Sequence, residues 1–113
     1  ISEGKQIRDF CFVDDVVDAM VKAALSQKAK GHIINVASGT PLTIKEVTEK
    51  VILLTGGGKP LWGSYPYREG ENMQLYGDIN LANDLLEWSP RINFDEGLKQ
   101  TIDYYRNSSS GGD

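Results

Sequence analysis

Two arginines and the carboxylates around them are the side chains here best suited to chemistry on an anion. Arg8 stands in Gly4-Lys5-Gln6-Ile7-Arg8-Asp9-Phe10, and Arg68 stands in a loop punctuated by Pro60, Gly63, Pro66 and Gly70. A guanidinium presents its N–H donors in a planar fork, so such a residue can grip a diphosphate bidentately. A Pro- and Gly-rich loop on a rigid scaffold is a good place from which to present it. The competing expectations are a structural ion pair of Arg8 with Asp9, Asp14 or Asp15, and a simply solvated Arg68. Asp14, Asp15 and Asp18 form an acidic group, but first-turn carboxylates more commonly complement a helix dipole in water than hold a metal. His32, the only histidine, has no Ser or Asp partner at a recognisable spacing, so a strand-end position is expected rather than a catalytic base. Trp62 and Trp88 read as core or cover residues, with Trp62 the better placed to line a pocket.

The elements that must position these residues can be read from spacing. Ile7 to Val13 is rich in aromatic and β-branched residues and predicts a short strand or extended entry. From Asp14, the predicted N-cap, Val16, Val17, Met20, Val21, Ala24 and Leu25 recur at helical spacing as a buried face, and Gly31 is expected to stop the helix. His32 to Ala37 is a nearly continuous apolar run, the pattern of a strand buried on both faces. Thr43-Ile44-Lys45-Glu46 forms a capping-box pattern. It opens a helix that buries Ile44, Val47, Val51, Ile52 and Leu54 and ends at Gly56-Gly57-Gly58. A strand is expected around Pro60 to Gly63 and another extended piece over Met73 to Gly77. Asp78 or Asn80 caps a short helix striped by Leu81, Leu85 and Leu86, Trp88 packs after it, and Pro90 breaks the chain. Phe94 and Asp95 begin a last helix with Leu98, Ile102 and Tyr105 on one face. Ser108 to Asp113 is a polar tail with little to pack and is expected to be mobile.

The bulk properties narrow the function classes. The 113 residues make one domain with a modest core, and 40% hydrophobic with 25% charged residues is ordinary for a globular chain. A net charge of -4 argues against a phosphate-tracking surface for nucleic acid. No apolar run reaches the ~20 residues that span a bilayer, so no membrane partner is expected. Cys11 is the only cysteine, which excludes an intrachain disulfide and a cysteine-based metal site and suits a reducing, cytoplasmic setting. The opening Ile1, in place of Met, is what a processed or truncated chain would show.

Taken in order, the landmarks resemble the C-terminal portion of the extended short-chain dehydrogenase/reductase family, the NAD-dependent epimerases, dehydratases and reductases of nucleotide sugars. The matching residues are Gly4 to Phe10, Val13-Asp14-Asp15-Val16, Ile34 to Gly39, Tyr67-Arg68-Glu69-Gly70-Glu71, Asp78, Leu86-Glu87-Trp88-Ser89-Pro90 and Phe94 to Leu98. The family often carries Gly where Glu87 stands, and a Ser-Lys pair where Asn80-Leu81 stands. The resemblance implies an α/β fold: the substrate-binding part of a Rossmann-type epimerase/dehydratase over residues 1–107, with few short strands, three to four helices and a flexible tail at 108–113. It implies that Arg8 and Arg68 contact the diphosphate of a nucleotide-diphosphate sugar and that Glu71 accepts hydrogen bonds from ribose hydroxyls. It implies NAD or NADP in an intact enzyme, with a tyrosine as acid/base helped by a lysine. The Gly-rich dinucleotide loop and the Tyr-x-x-x-Lys pair are both missing from this sequence, and Gly56-Gly57-Gly58 follows a helix rather than a strand. The chain alone is therefore expected to bind no cofactor and to be inactive. Its expected partners are a missing N-terminal Rossmann half or further copies of itself, the second fitting a free-standing assembly module. The Tyr67 to Glu71 loop followed by Met73 is similar to enzymes that make deoxysugars for surface polysaccharides.

Overall fold

The structure is a computed structural model that describes residues 1–111. Its elements run β1 (Ile7–Arg8), α1 (Val13–Leu25), β2 (Leu42–Thr43), α2 (Ile44–Thr55), β3 (Gln74–Leu75), α3 (Asn80–Leu86) and α4 (Phe94–Gly111). This is the expected α/β composition of short strands and four helices. The sheet has the order β2-β1-β3, with β1 antiparallel to β2 and parallel to β3.

The capping box forms as the sequence predicts. The Glu46 backbone N–H donates to Thr43 Oγ1 at 3.1 Å, and the Thr43 N–H donates to Glu46 Oε2 at 2.8 Å. Two donors that a helix N-terminus otherwise orphans are thereby satisfied reciprocally. α2 ends at Gly56, and Ile44, Val47, Val51 and Ile52 are half-buried while Leu54 is exposed.

α1 departs from its expected orientation. Its N-cap is Phe12, with Asp14 inside the first turn, and it ends at Leu25, six residues before Gly31. The residues it buries are Asp15 and Ala19, whereas Val17, Met20, Val21 and Leu25 are exposed, Leu25 at 79%. Periodicity identifies an apolar stripe but not whether this chain covers it. Here α3 packs against α1 on the opposite, small-residue side. Ala19 meets Ala82, Leu86 and Trp88 there as the core, with Ile34, Val36 and Ile79 packed around it.

His32 to Ala37 forms no ladder. Ile34 and Val36 are half-buried and Ala37 buried, while Ile33 is 93% exposed. The alternation is that of a strand, but the segment pairs with none of the three strands. Pro60 to Gly63 likewise forms turns instead of a strand, while β3 lies within Met73 to Gly77 as expected. In α3 the stripe is Ala82 and Leu86, with Leu81 exposed and Leu85 half-buried. Its N-cap position is Ile79, and Asp78 Oδ1 accepts the Asn80 N–H at 2.9 Å. In α4, Leu98 and Ile102 are half-buried, but Tyr105 is exposed and stacks edge-on against Tyr104. The helical backbone of α4 continues through Ser108 to Gly111, the start of the expected tail, and Gly112 and Asp113 lie outside the described residues.

Asp15 holds the two ends of the core together. Its carboxylate is buried and accepts backbone N–H groups from Arg91 (3.1 Å) and Ile92 (3.0 Å), while its carbonyl accepts Trp88 Nε1 at 3.0 Å. The expectation of a solvated first-turn carboxylate is therefore corrected for Asp15. Partners in the Pro90 bend, far along the chain, draw it inward.

Candidate functional site

Arg8, Arg68 and Glu71 come together. The parallel pairing of β1 with β3 sets Arg8 opposite Leu75, and the Ile7 N–H donates to the Met73 carbonyl at 2.7 Å. The loop entering β3 is thus carried alongside Arg8. Within that loop the Glu71 N–H closes a turn onto the Arg68 carbonyl at 3.0 Å, and Gly70 supplies the left-handed φ of +76° that the turn requires. Tyr67 anchors the loop to the N-terminal segment by accepting the Lys5 N–H at 2.9 Å.

Glu71 lies between the two guanidinium groups. Arg8 Nη2 donates to its Oε1 at 3.3 Å, while Arg68 Nε and Nη2 donate to its Oε2 at 3.3 and 3.2 Å. Arg8 Nη1 is spent on the Ile7 carbonyl at 2.8 Å, which fixes the fork so that Nη2 faces the carboxylate. The three side chains differ sharply in exposure. Glu71 is 11% exposed and Arg8 22%, but Arg68 is 88% exposed. One wall is therefore enclosed, and the other, though paired with Glu71, lies at the surface. An open cleft of about 430 Å³ runs past them, completed by Glu69, Gly70, Asn72 and Leu75. Arg8 thus makes an ion pair, but with Glu71 rather than with Asp9, Asp14 or Asp15.

The other candidates lie elsewhere. Asp9 Oδ1 accepts the Ser38 N–H at 2.7 Å and ties the 32–39 segment to β1. Trp62 packs against Gly4, with the Lys45 ammonium 5.8 Å from its ring centre, and does not border the arginine cleft. His32 is exposed and its N–H caps the Ala29 carbonyl. Asp18 pairs with Lys22 one turn on at 3.1 Å. Burial pushes the Cys11 thiol up from its ordinary pKa, helped by the negative charges of Asp15 and Asp9. A second cleft, bordered by Asp9, Phe10, Phe12 and Phe94, is equally large, but no cationic side chain lines it. No described helix is long and apolar enough to cross a membrane.

Residues 1–101 match the sequence family described as GDP-mannose 4,6 dehydratase. The chain is 31% identical over 109 residues to a UDP-N-acetyl-alpha-D-glucosaminuronate decarboxylase of Bacillus cytotoxicus, covering 92% of this chain and 34% of the relative. It is 32% identical over 108 residues to a UDP-glucose 4-epimerase of Mycolicibacterium smegmatis, covering 95% and 34%. Among solved structures it superposes on the Thermotoga maritima UDP-glucose 4-epimerase with UDP-glucose at a TM-score of 0.85 and 29% identity, over 94% of this chain and 33% of that one. MoeE5 in complex with UDP-glucuronic acid and NAD gives 0.84 and 28%, over 96% and 37%. The chain therefore spans about a third of the length of these relatives.

Proposed function

Because this chain belongs to the extended short-chain dehydrogenase/reductase family of nucleotide-sugar epimerases and dehydratases, we propose that it supplies the nucleotide-sugar-binding portion of such an enzyme. The observation that carries this reading is the convergence of Arg8 and Arg68 on opposite oxygens of one carboxylate, in one cleft. Two guanidinium groups facing a single anion support this reading, because such forks pair with the oxygens of a diphosphate. Glu71, next to them, is available to ribose hydroxyls once it turns away. The portion comprises residues 1–107. Similarity to relatives bound to UDP-glucose and UDP-glucuronic acid supports a uridine or related nucleotide.

The residues present do not fit a dinucleotide. No Gly-rich loop joins a strand to a helix, and Tyr65, Tyr67, Tyr76, Tyr104 and Tyr105 all lack a lysine four positions on. No hydride or proton transfer is therefore assigned to this chain. NAD or NADP and the acid/base pair belong to the remaining two-thirds of the enzyme, in a reducing compartment such as the cytoplasm. Titration calorimetry with UDP, GDP and dTDP tests the binding role. Heat that Arg8→Ala abolishes is expected, and a folded sample that binds none of the three would refute it. Oxidation of a nucleotide sugar by this polypeptide with added NAD would refute its inactivity.

A second reading rests on a separate observation. Val13, Val17, Met20, Val21 and Leu25 leave an apolar stripe along α1 facing solvent, the kind of surface that self-associates. The chain would then act as an assembly module, and a compact monomer in sedimentation would count against it.

A further inference from the structure

We propose that Glu71 is a built-in competitor for the anion site, a carboxylate that a ligand must expel from between Arg8 and Arg68 before it can bind. The inference rests on the diphosphate-binding reading and adds to it a rule of selection. Both Glu71 oxygens are engaged, one by each arginine, at 3.2–3.3 Å. The carboxylate is 11% exposed, so it fills the position where an incoming anion would meet Arg8.

Arg8 is held in place from two sides. Its second terminal nitrogen is held by the Ile7 carbonyl, and its backbone is fixed in the central strand. Arg68, 88% exposed, can follow a ligand outward. The exchange thus turns on the Arg8–Glu71 contact. A ligand with one charge offers Arg8 and Arg68 no more than Glu71 already does. A diphosphate carries more charge and more acceptor oxygens, and can serve both forks while Glu71 swings to water. The carboxylate therefore excludes singly charged anions and admits the diphosphate.

Inorganic pyrophosphate is the probe that isolates this role. It has no ribose, so any part Glu71 plays toward ribose hydroxyls leaves its binding unaffected. Calorimetry at fixed ionic strength is expected to show Glu71→Gln binding pyrophosphate about three- to tenfold more tightly than the unaltered chain, tenfold being about 1.4 kcal/mol. Orthophosphate should gain at least as much, and Arg8→Ala should abolish both. In the unaltered chain, the Glu71 carboxyl ¹³C resonance should move as pyrophosphate saturates the site, a readout that needs no variant to fold. Unchanged or weaker pyrophosphate binding by Glu71→Gln, or a stationary Glu71 resonance at saturation, overturns the competitor while Arg8-dependent binding keeps the clamp. Absence of pyrophosphate binding in folded samples of both forms overturns the clamp and the competitor together.

Discussion

Replacing Asp15 should cost more stability than replacing any of the surface carboxylates. Its two oxygens each accept one backbone N–H, at 3.1 and 3.0 Å, from consecutive residues Arg91 and Ile92. Hydrogen bonds to a charged group contribute about 1.5–3 kcal/mol each, and a donor left unsatisfied costs its own desolvation. Arg91 is exposed and Ile92 half-buried, so water recovers part of the loss in Asp15→Ala. The expected destabilisation is then about 3–4 kcal/mol, a large share of the roughly 5–15 kcal/mol that holds a domain together. Asp15→Asn keeps the shape and one acceptor but points an amide donor at a backbone donor, and should cost about 2 kcal/mol. Urea unfolding followed by tryptophan fluorescence measures both, since Trp88 is fully buried and bonded to the same residue. A shift below about 1 kcal/mol for Asp15→Ala, with the denaturant slope unchanged, would refute the staple.

Glu87 sits at φ 51°, the only positive φ among described residues other than glycine, and the Trp88 N–H turns back there onto the Ala82 carbonyl. A left-handed backbone costs a side-chain-bearing residue about 1–2 kcal/mol, so Glu87→Gly should stabilise the chain by up to about 1 kcal/mol after the added unfolded-state entropy; a lower melting temperature would refute this. Burial, then the charges of Asp15 and Asp9, raise the Cys11 pKa, so the fold favours the neutral thiol. Its contribution to stability is fully present below the unfolded thiol pKa of about 8.5 and is lost as pH rises through the higher folded value. Rates of iodoacetamide alkylation against pH should have a higher midpoint in the folded chain than in urea, and coincident midpoints would disprove the shift.

Local signals were the legible ones. The capping box at Thr43 and Glu46 needs only four consecutive residues, and it is present bond for bond. Arg8, Arg68 and Glu71 are all candidates on the family resemblance, and the Arg68–Glu71 contact is local, but no spacing reveals that Arg8 joins them, since β1–β3 pairing makes that contact. Asp15 was misjudged because its partners lie 76 and 77 residues away, where helix-dipole reasoning does not reach. Glu87 carried a usable hint, a non-glycine residue at a position where similar sequences often place Gly. The α1 stripe and the 32–37 run were visible as apolar patterns. What covers them depends on neighbours, and a pattern along one segment does not name its neighbours.

The central position of β1 has a consequence for how the chain is made. Ile7 and Arg8 are synthesised before both of their partners, Leu42–Thr43 on one side and Gln74–Leu75 on the other. One edge of the strand waits for β2, and the other waits longer, for β3. Contacts closed across such distances form slowly and leave an intermediate with exposed edges. The anion site needs the same closure, because Arg8 meets Glu71 only after β3 has docked. Binding competence should therefore appear only after β3 has been made and has docked.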